Sequence, residues 1–274
     1  MFFKSRFNQE VIPAHIREAL PAGDAFSHIM AMQGEIHRDV SSRRTIRVVL
    51  AGKSYFIKQH FGVGWREIFK NLLTLRLPIV SALTEWKAIQ RLQQLGIATT
   101  PGVAYGCRGR SPASMRSFVI TEDIGDHVSL ETLCADWLKN PPDARFKRHL
   151  IVVVAELARK LHGAGLNHRD FYICHLCLDR QRLQHGEIKL YLIDLHRVGI
   201  RSEIRESCRM KDIAALNFSA MDCGLSQRDR LRFLRYYRQQ KLRRVFETEA
   251  SFWANVSARS DRLYLKFHGT MPRR

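Results

Sequence analysis

The stretch GLNHRDFYICHLCLD, residues 165–179, decides how the rest of the chain is read. It places His168, Arg169 and Asp170 behind the apolar helical run ARFKRHLIVVVAELARKLHGAG (144–165) and ahead of a short strand-like segment. Three polar residues at a helix-to-strand junction are either a solvated turn or groups held out for chemistry. The fifth residue after Asp170 is a histidine, His175.

Downstream, a β-rich patch, EIKLYLIDLHRV (187–198), carries Asp194 behind an apolar strand, and KDIAAL (211–216) carries Asp212 near a helix N-terminus. Upstream, RRTIRVVLAG (43–52) and KSYFIKQH (53–60) are β-branched and aromatic runs joined by Ala51-Gly52-Lys53, a hairpin signal. VSALTEWKAIQRLQQLG (80–96) reads as a helix with Leu83, Trp86, Ile89 and Leu92 or Leu95 on one face and Gly96 as its stop. Two more strands are predicted at Pro101–Arg108 and Ser117–Glu122. From about residue 124 the pattern turns helical, beginning with VSLETLCADWL (128–138). The expected fold is α+β and bilobal. A β-rich lobe over 1–122 would be joined near Thr121–Asp126 to a helical lobe over 123–274, with a cleft between them.

The 274 residues are 45% hydrophobic, enough for a packed core. Lys and Arg number 45 against 26 Asp and Glu, a net charge of +19. Such an excess predicts a polyanionic partner: nucleic acid, an anionic membrane face, a phosphorylated glycolipid or an acidic protein. The start, MFFKSRFNQEVIP, has neither the apolar core nor the small-residue site of a secretory signal, and the apolar run Leu150–Ala155 is stopped by Glu156 before it reaches membrane length. The six cysteines show no framework spacing, so a reduced, intracellular chain is expected. Cys174-His175-Leu176-Cys177 has no second C-x-x-C, and core cysteines are expected there rather than a zinc site.

Four charged positions line up in order. Lys58 lies inside a strand, where it either meets solvent or needs a counter-charge, and Glu85 on the next helix is the natural partner because a buried lysine left unpaired is costly. Asp170 follows in a loop, and Asp194 at a strand end. Phosphoryl transfer uses such a set: a lysine held by a helix glutamate for the nucleotide phosphates, an aspartate for the acceptor hydroxyl, and an aspartate for Mg²⁺.

The HRD run resembles the protein-kinase-like superfamily. NHRDFYICHLCLD, with YFIKQH and VITEDI upstream and LYLIDLHRV and KDIAALNFSA downstream, is more narrowly similar to the lipopolysaccharide core kinases that phosphorylate inner-core heptose. The resemblance runs from about Glu35 to Tyr237. It implies ATP and Mg²⁺ as cofactors and heptose I as acceptor. Lys58 would contact the phosphates and Glu85 would anchor it. Thr121, Glu122 and Asp123 would form the adenine-reading hinge. Asp170 would be the base, Asp194 the metal ligand, and His168 and Asp212 the support of the catalytic loop. Related acceptors, Kdo or heptose II, remain open, as do a protein kinase and a non-catalytic basic binding module on the same scaffold.

The chain departs from ordinary kinases in three places. His175 stands where asparagine is the second metal ligand, so metal binding, phosphate contact and loop bracing are all open to it. His196 replaces the glycine of Asp-Phe-Gly. No G-x-G-x-x-G precedes Lys58, and Gly34 in MQGEIHRDV is the one candidate for a phosphate-covering turn. Finally, SQRDRLRFLRYYRQQKLRRVF (226–246) carries eight basic residues, with Leu231, Leu234, Leu242 and Val245 as a helix's apolar stripe. With Arg43, Arg44, Arg47, Arg108, Arg110, Arg145, Lys147 and Arg148 it would meet a lipid A–core acceptor and the anionic inner leaflet, placing the protein peripherally on the cytoplasmic side. An acidic carrier protein could use the same surface. No basic-plus-aromatic RNA-binding motif is present, and nucleic acid is not expected.

Overall fold

The computed structural model describes residues 8–40, 42–65 and 81–272. The chain is α+β and divides into two compact units, 1–91 with 100–124, and 92–99 with 125–274.

The first unit is built on a six-stranded antiparallel sheet. Its elements are β1 (Asn8–Val11), α1 (Ala14–Glu18), α2 (Ala25–Ala31), β2 (Glu35–Val40), β3 (Arg43–Leu50), β4 (Lys53–His60), α3 (Leu83–Gln94), β5 (Gly102–Arg108) and β6 (Arg116–Glu122). The strand order is β1-β5-β6-β4-β3-β2. The β3–β4 hairpin turns at Ala51 and Gly52, both at positive φ, as the hairpin signal requires. Alternation along β4 sends Tyr55, Ile57 and Gln59 to one face. There Ile57 packs with Ile16, Phe26, Ile29 and Met30 of α1 and α2, and Gln59 donates to the Ile29 carbonyl at 2.8 Å. These two helices were not predicted: α1 has five residues and α2 seven, too short for a clear periodicity. Lys58 therefore belongs to the opposite face. On α3, Trp86, Ile89 and Leu92 are buried as predicted, and Trp86 stacks on Tyr105. Val80, the first residue of the predicted helix, lies outside the described residues.

The second unit contains β7 (His127–Ser129), α4 (Leu130–Cys134), α5 (Ala144–Gly163), β8 (Leu166–Asn167), β9 (Leu176–Asp179), α6 (Arg180–Gln184), β10 (Leu190–Leu192), β11 (Gly199–Ile200), α7 (Glu206–Ser219), α8 (Gln227–Arg238) and α9 (Leu242–His268). Asp143 caps α5 by accepting from Arg145 and Phe146 N–H, both at 2.9 Å. The α5 stripe Leu150, Val154, Leu157, Ala158 and Leu161 is buried. Ser260 on α9 donates to the Ala214 carbonyl on α7 at 3.0 Å inside the core.

Three sequence expectations shift here. The basic run at 226–246 is two helices, because Gln239 takes a left-handed conformation and caps α8 through its N–H to the Arg235 carbonyl. Only Leu190–Leu192 of the 187–198 patch is a strand before Asp194 turns left-handed. Asp212 sits in the middle of α7, which starts at Glu206, not at a helix N-terminus.

Candidate active site

In the sheet unit, Lys58 Nζ meets Glu85 Oε1 at 2.5 Å, and the Glu85 side chain is only 3% exposed. α3 is pinned at its start by Ala82 N–H donating to Ser117 Oγ on β6. Glu85 Oε2 is buried with no hydrogen-bond partner among the described residues. The carboxylate thus leans on the lysine for its charge balance. Thr121 is buried in β6, and the next two N–H groups are already used: Glu122 donates to Pro101 O and Asp123 to Ser54 O. The Asp123 carboxylate accepts from Arg47 and from the Ser54 hydroxyl at 2.9 and 3.0 Å. Gly34 leads into β2, at the opposite end of that strand from the turn into β3. A Cβ there would collide with the Arg47 carbonyl, so the glycine permits a close backbone approach.

In the helical unit, short strands frame the HRD loop. β8 pairs with β11, aligning Asn167 with Gly199, and a Cβ on Gly199 would strike the Asn167 side chain. β9 pairs with β10. The loop backbone is held from below by Asp212, 1% exposed, whose two oxygens accept from His168 N–H (2.6 Å) and Arg169 N–H (2.9 Å). This fixes Arg169 at φ +70. His162 Nε2 faces the same carboxylate at 3.3 Å, and its Nδ1 meets the Tyr237 hydroxyl at 2.8 Å. Burial raises the Tyr237 pKa and keeps the phenol protonated.

Asp170, Asp194 and His175 come together above this frame. His168 Nε2 donates to the Ile193 carbonyl at 3.0 Å, tying the loop to the residue before Asp194, and burial pushes the His168 pKa down, keeping the ring neutral. His175 Nδ1 lies 2.7 Å from the Asp170 carbonyl. A carbonyl only accepts, so Nδ1 carries the proton and Nε2 is turned to Asp194 Oδ2 at 3.6 Å. Its pKa is pushed up to about 9 by the Cys174 thiol, with burial opposing and the Asp170 carbonyl assisting. The other Asp194 oxygen is hydrogen-bonded to His196 Nδ1. Asp194 itself is left-handed, at φ +61. Such a conformation in a non-glycine residue is held by its surroundings and is common at active sites.

Arg197 was not singled out from sequence. Its Nη1 donates to both Asp170 oxygens, at 2.7 and 3.0 Å. One arginine among 45 basic residues carries no local signal, and only the short helical turn after Asp194 brings it to the loop. His196, His162 and Tyr237 were missed for the same reason.

Several cations assigned to polyanion binding have internal partners instead. Arg44 pairs with Asp39, Arg47 with Asp123, Arg108 with Glu10 and Asp24, and Lys147 with Asp229. No helix among the described residues is long and apolar enough to cross a membrane.

Residues 27–237 match the Lipopolysaccharide kinase (Kdo/WaaP) family. The chain belongs to this family. It is 45% identical over 242 residues to the lipopolysaccharide core heptose(I) kinase WaaP of Pseudomonas aeruginosa, covering 88% of this chain and 90% of that one. It is also 45% identical over 241 residues to the WaaP of Escherichia coli K12, covering 88% and 91%. A solved structure of WaaP in complex with acyl carrier protein superposes with a TM-score of 0.81 at 38% identity, covering 93% of this chain and 99% of that one. As a lipopolysaccharide kinase, the protein is a phosphotransferase, and the family match includes both the Lys58 strand and the HRD loop.

Proposed function

We propose that this kinase transfers the γ-phosphoryl group of ATP to a hydroxyl of the first heptose of the lipopolysaccharide inner core. The observation that carries the reading is one connected frame: His175 runs from the Asp170 backbone carbonyl to the Asp194 carboxylate, and the buried His168 and Asp212 hold the backbone beside both. Support for the acceptor comes from relatives named heptose(I) kinases at 45% identity over most of the chain.

In this reading Lys58, steadied by Glu85, neutralises the nucleotide phosphates, and the residues at 121–123 border the adenine. The N–H groups of Glu122 and Asp123 are committed, so these two residues would meet the base through carbonyl oxygens. Asp170 accepts the proton as the heptose oxygen attacks the γ-phosphorus and the bond to the β–γ bridging oxygen breaks, releasing ADP. Arg197 keeps the Asp170 carboxylate aimed before the acceptor arrives. The residues suit Mg²⁺: Asp194 offers a carboxylate that is 28% exposed, and Mg²⁺ uses one or two carboxylates with phosphates and water rather than a full protein cage. Asp194 would hold the ion, and His175, bonded to the Asp170 carbonyl and facing the Asp194 carboxylate, would brace the loop beside it. When bound, Mg²⁺ neutralises charge on the phosphates.

The basic surface of α8 and α9, where Arg243 is 91% exposed, would meet the anionic leaflet or an acidic carrier protein, in line with the relative described in complex with acyl carrier protein. The test of the acceptor is ADP release with truncated glycolipids. Release rises with Kdo–lipid A bearing one heptose and not with the heptose-free form. Equal release with both sinks the assignment.

A further inference from the structure

A line of aromatic rings leads away from the catalytic loop. Tyr172, two residues after Asp170, donates its N–H to the Asp170 carbonyl at 2.9 Å. Its ring meets Phe218 of α7 edge-on at 6.2 Å. Phe218 in turn meets Tyr264 and Phe267 of α9 at 6.4 and 5.9 Å, both near perpendicular. The line is fixed at both ends. Ile173 N–H donates to the Ser219 hydroxyl beside Phe218 at 3.1 Å, and the Tyr264 hydroxyl donates to Asp222 at 3.0 Å.

Two features set this line apart from core packing. Phe267 is 77% exposed, so it gains little from burial against its own protein and leaves most of its ring for something else to cover. Cations also stand at the inner end. Arg197 and Arg259 are the positive charges that act on the Tyr172 hydroxyl, and the half-buried Arg259 has no hydrogen-bond partner at Nε among the described residues. Rings presented beside arginines, starting two residues from the base, suit an anionic saccharide. Electron-rich ring faces attract the polarised C–H groups of a pyranose, and a guanidinium matches a carboxylate or phosphate.

We infer that Tyr172, Phe218, Tyr264 and Phe267, with Arg197 and Arg259, form the seat of the acceptor saccharide. The sugar stacks on the exposed Phe267 ring at the outer end of the line, one face of Tyr264 being covered by His268 at 4.2 Å, and a carboxylate or phosphate on it or on the adjoining residue pairs with the arginines. The inference rests on the acceptor reading above and adds where that acceptor lies. Phe267 is an acceptor-binding residue: it holds the saccharide equally before and during the reaction, and it takes no part in the proton transfer.

The test uses the full chain with the water-soluble, deacylated Kdo–heptose oligosaccharide, so that no bilayer is present. Phe267→Ala should raise the acceptor KM about tenfold, which is about 1.4 kcal/mol. KM for ATP, kcat and the melting temperature should stay near wild type, and Phe267→Trp should restore the acceptor KM. Saturation-transfer NMR, which needs no turnover, should carry magnetisation from protein aromatic protons to sugar ring protons in the wild type and much less in Phe267→Ala. An unchanged acceptor KM together with undiminished saturation transfer in Phe267→Ala overturns the inference. So does an effect seen only with acylated acceptor in vesicles, which would make this face a bilayer contact. Absence of phosphate transfer by the wild type to any core saccharide would instead defeat the acceptor reading itself.

Discussion

Replacing Asp212 tests how the catalytic loop is held. The carboxylate is 1% exposed and accepts two backbone N–H groups, at 2.6 and 2.9 Å, from His168 and Arg169. Hydrogen bonds to a charged partner contribute about 1.5–3 kcal/mol each, and a buried donor left unmade costs its desolvation. Two such bonds give about 3–6 kcal/mol, part of which is offset because a buried charge is also removed. We expect Asp212→Ala to destabilise the protein by about 3–5 kcal/mol. Asp212→Asn should lose about half of that, because its amide oxygen still accepts one N–H while its NH₂ faces the other. Arg169, held at φ +70 by this contact, would relax toward an ordinary conformation and carry Asp170 with it. A displacement of about 1 Å at the reacting group can lower kcat about 100-fold. Urea unfolding followed by far-UV circular dichroism gives the stability, and steady-state ADP release gives kcat. A change in unfolding free energy for Asp212→Ala below ~1 kcal/mol, with kcat barely altered, would show that this carboxylate does not hold the loop.

Further outcomes follow from the same geometry. Asp170→Asn should lower kcat by about 10²–10⁴-fold; its stability should move by less than ~1 kcal/mol, since the Arg197 partner is 46% exposed, which thermal unfolding would check. Lys58→Met should abolish turnover and destabilise by about 3–5 kcal/mol, because it strands the buried Glu85 carboxylate, whereas Lys58→Met with Glu85→Leu should recover stability without activity. Asp229 gives a pH signature. Burial would raise its pKa, but hydrogen bonds from Ser226 and Lys147 outweigh it and hold the pKa below the ordinary carboxylate value. The stability that this group contributes is therefore intact above about pH 4, the unfolded value, and is lost as pH falls through the folded one. The gap between wild type and Asp229→Asn in urea unfolding should be open at neutral pH and close below pH ~4.

Much of the scaffold was legible because it depends on local patterns. KSYFIKQH marked β4, since a β-rich run after Ala51-Gly52 has one natural reading; Lys53, read also as part of the turn, is its first residue. The buried stripe of α3 followed from its spacing, and the Lys58–Glu85 contact followed from placing a lysine among apolar strand residues. The rest was set by contacts distant in sequence. Arg197 reaches Asp170 across 27 positions, and Asp123 reaches Arg47 across 76. No spacing rule links such residues. The basic run at 226–246 kept helical periodicity across Gln239, so periodicity could not find the break; a left-handed cap there is a backbone event with no glycine to announce it. The +19 charge pointed to a polyanionic partner, yet Arg47, Arg108 and Lys147 each have an internal carboxylate, which a charge count cannot reveal.

The most direct measurement is the position of the transferred phosphate. The purified protein is incubated with γ-¹⁸O-labelled ATP, Mg²⁺ and dephosphorylated lipid A–core glycolipid, and the product is sequenced by tandem mass spectrometry. One labelled phosphate is expected on the first heptose, and none when Asp170 is replaced by Asn. Label on Kdo, on the second heptose or on protein would contradict it, as would undiminished labelling of the first heptose by the Asp170→Asn variant.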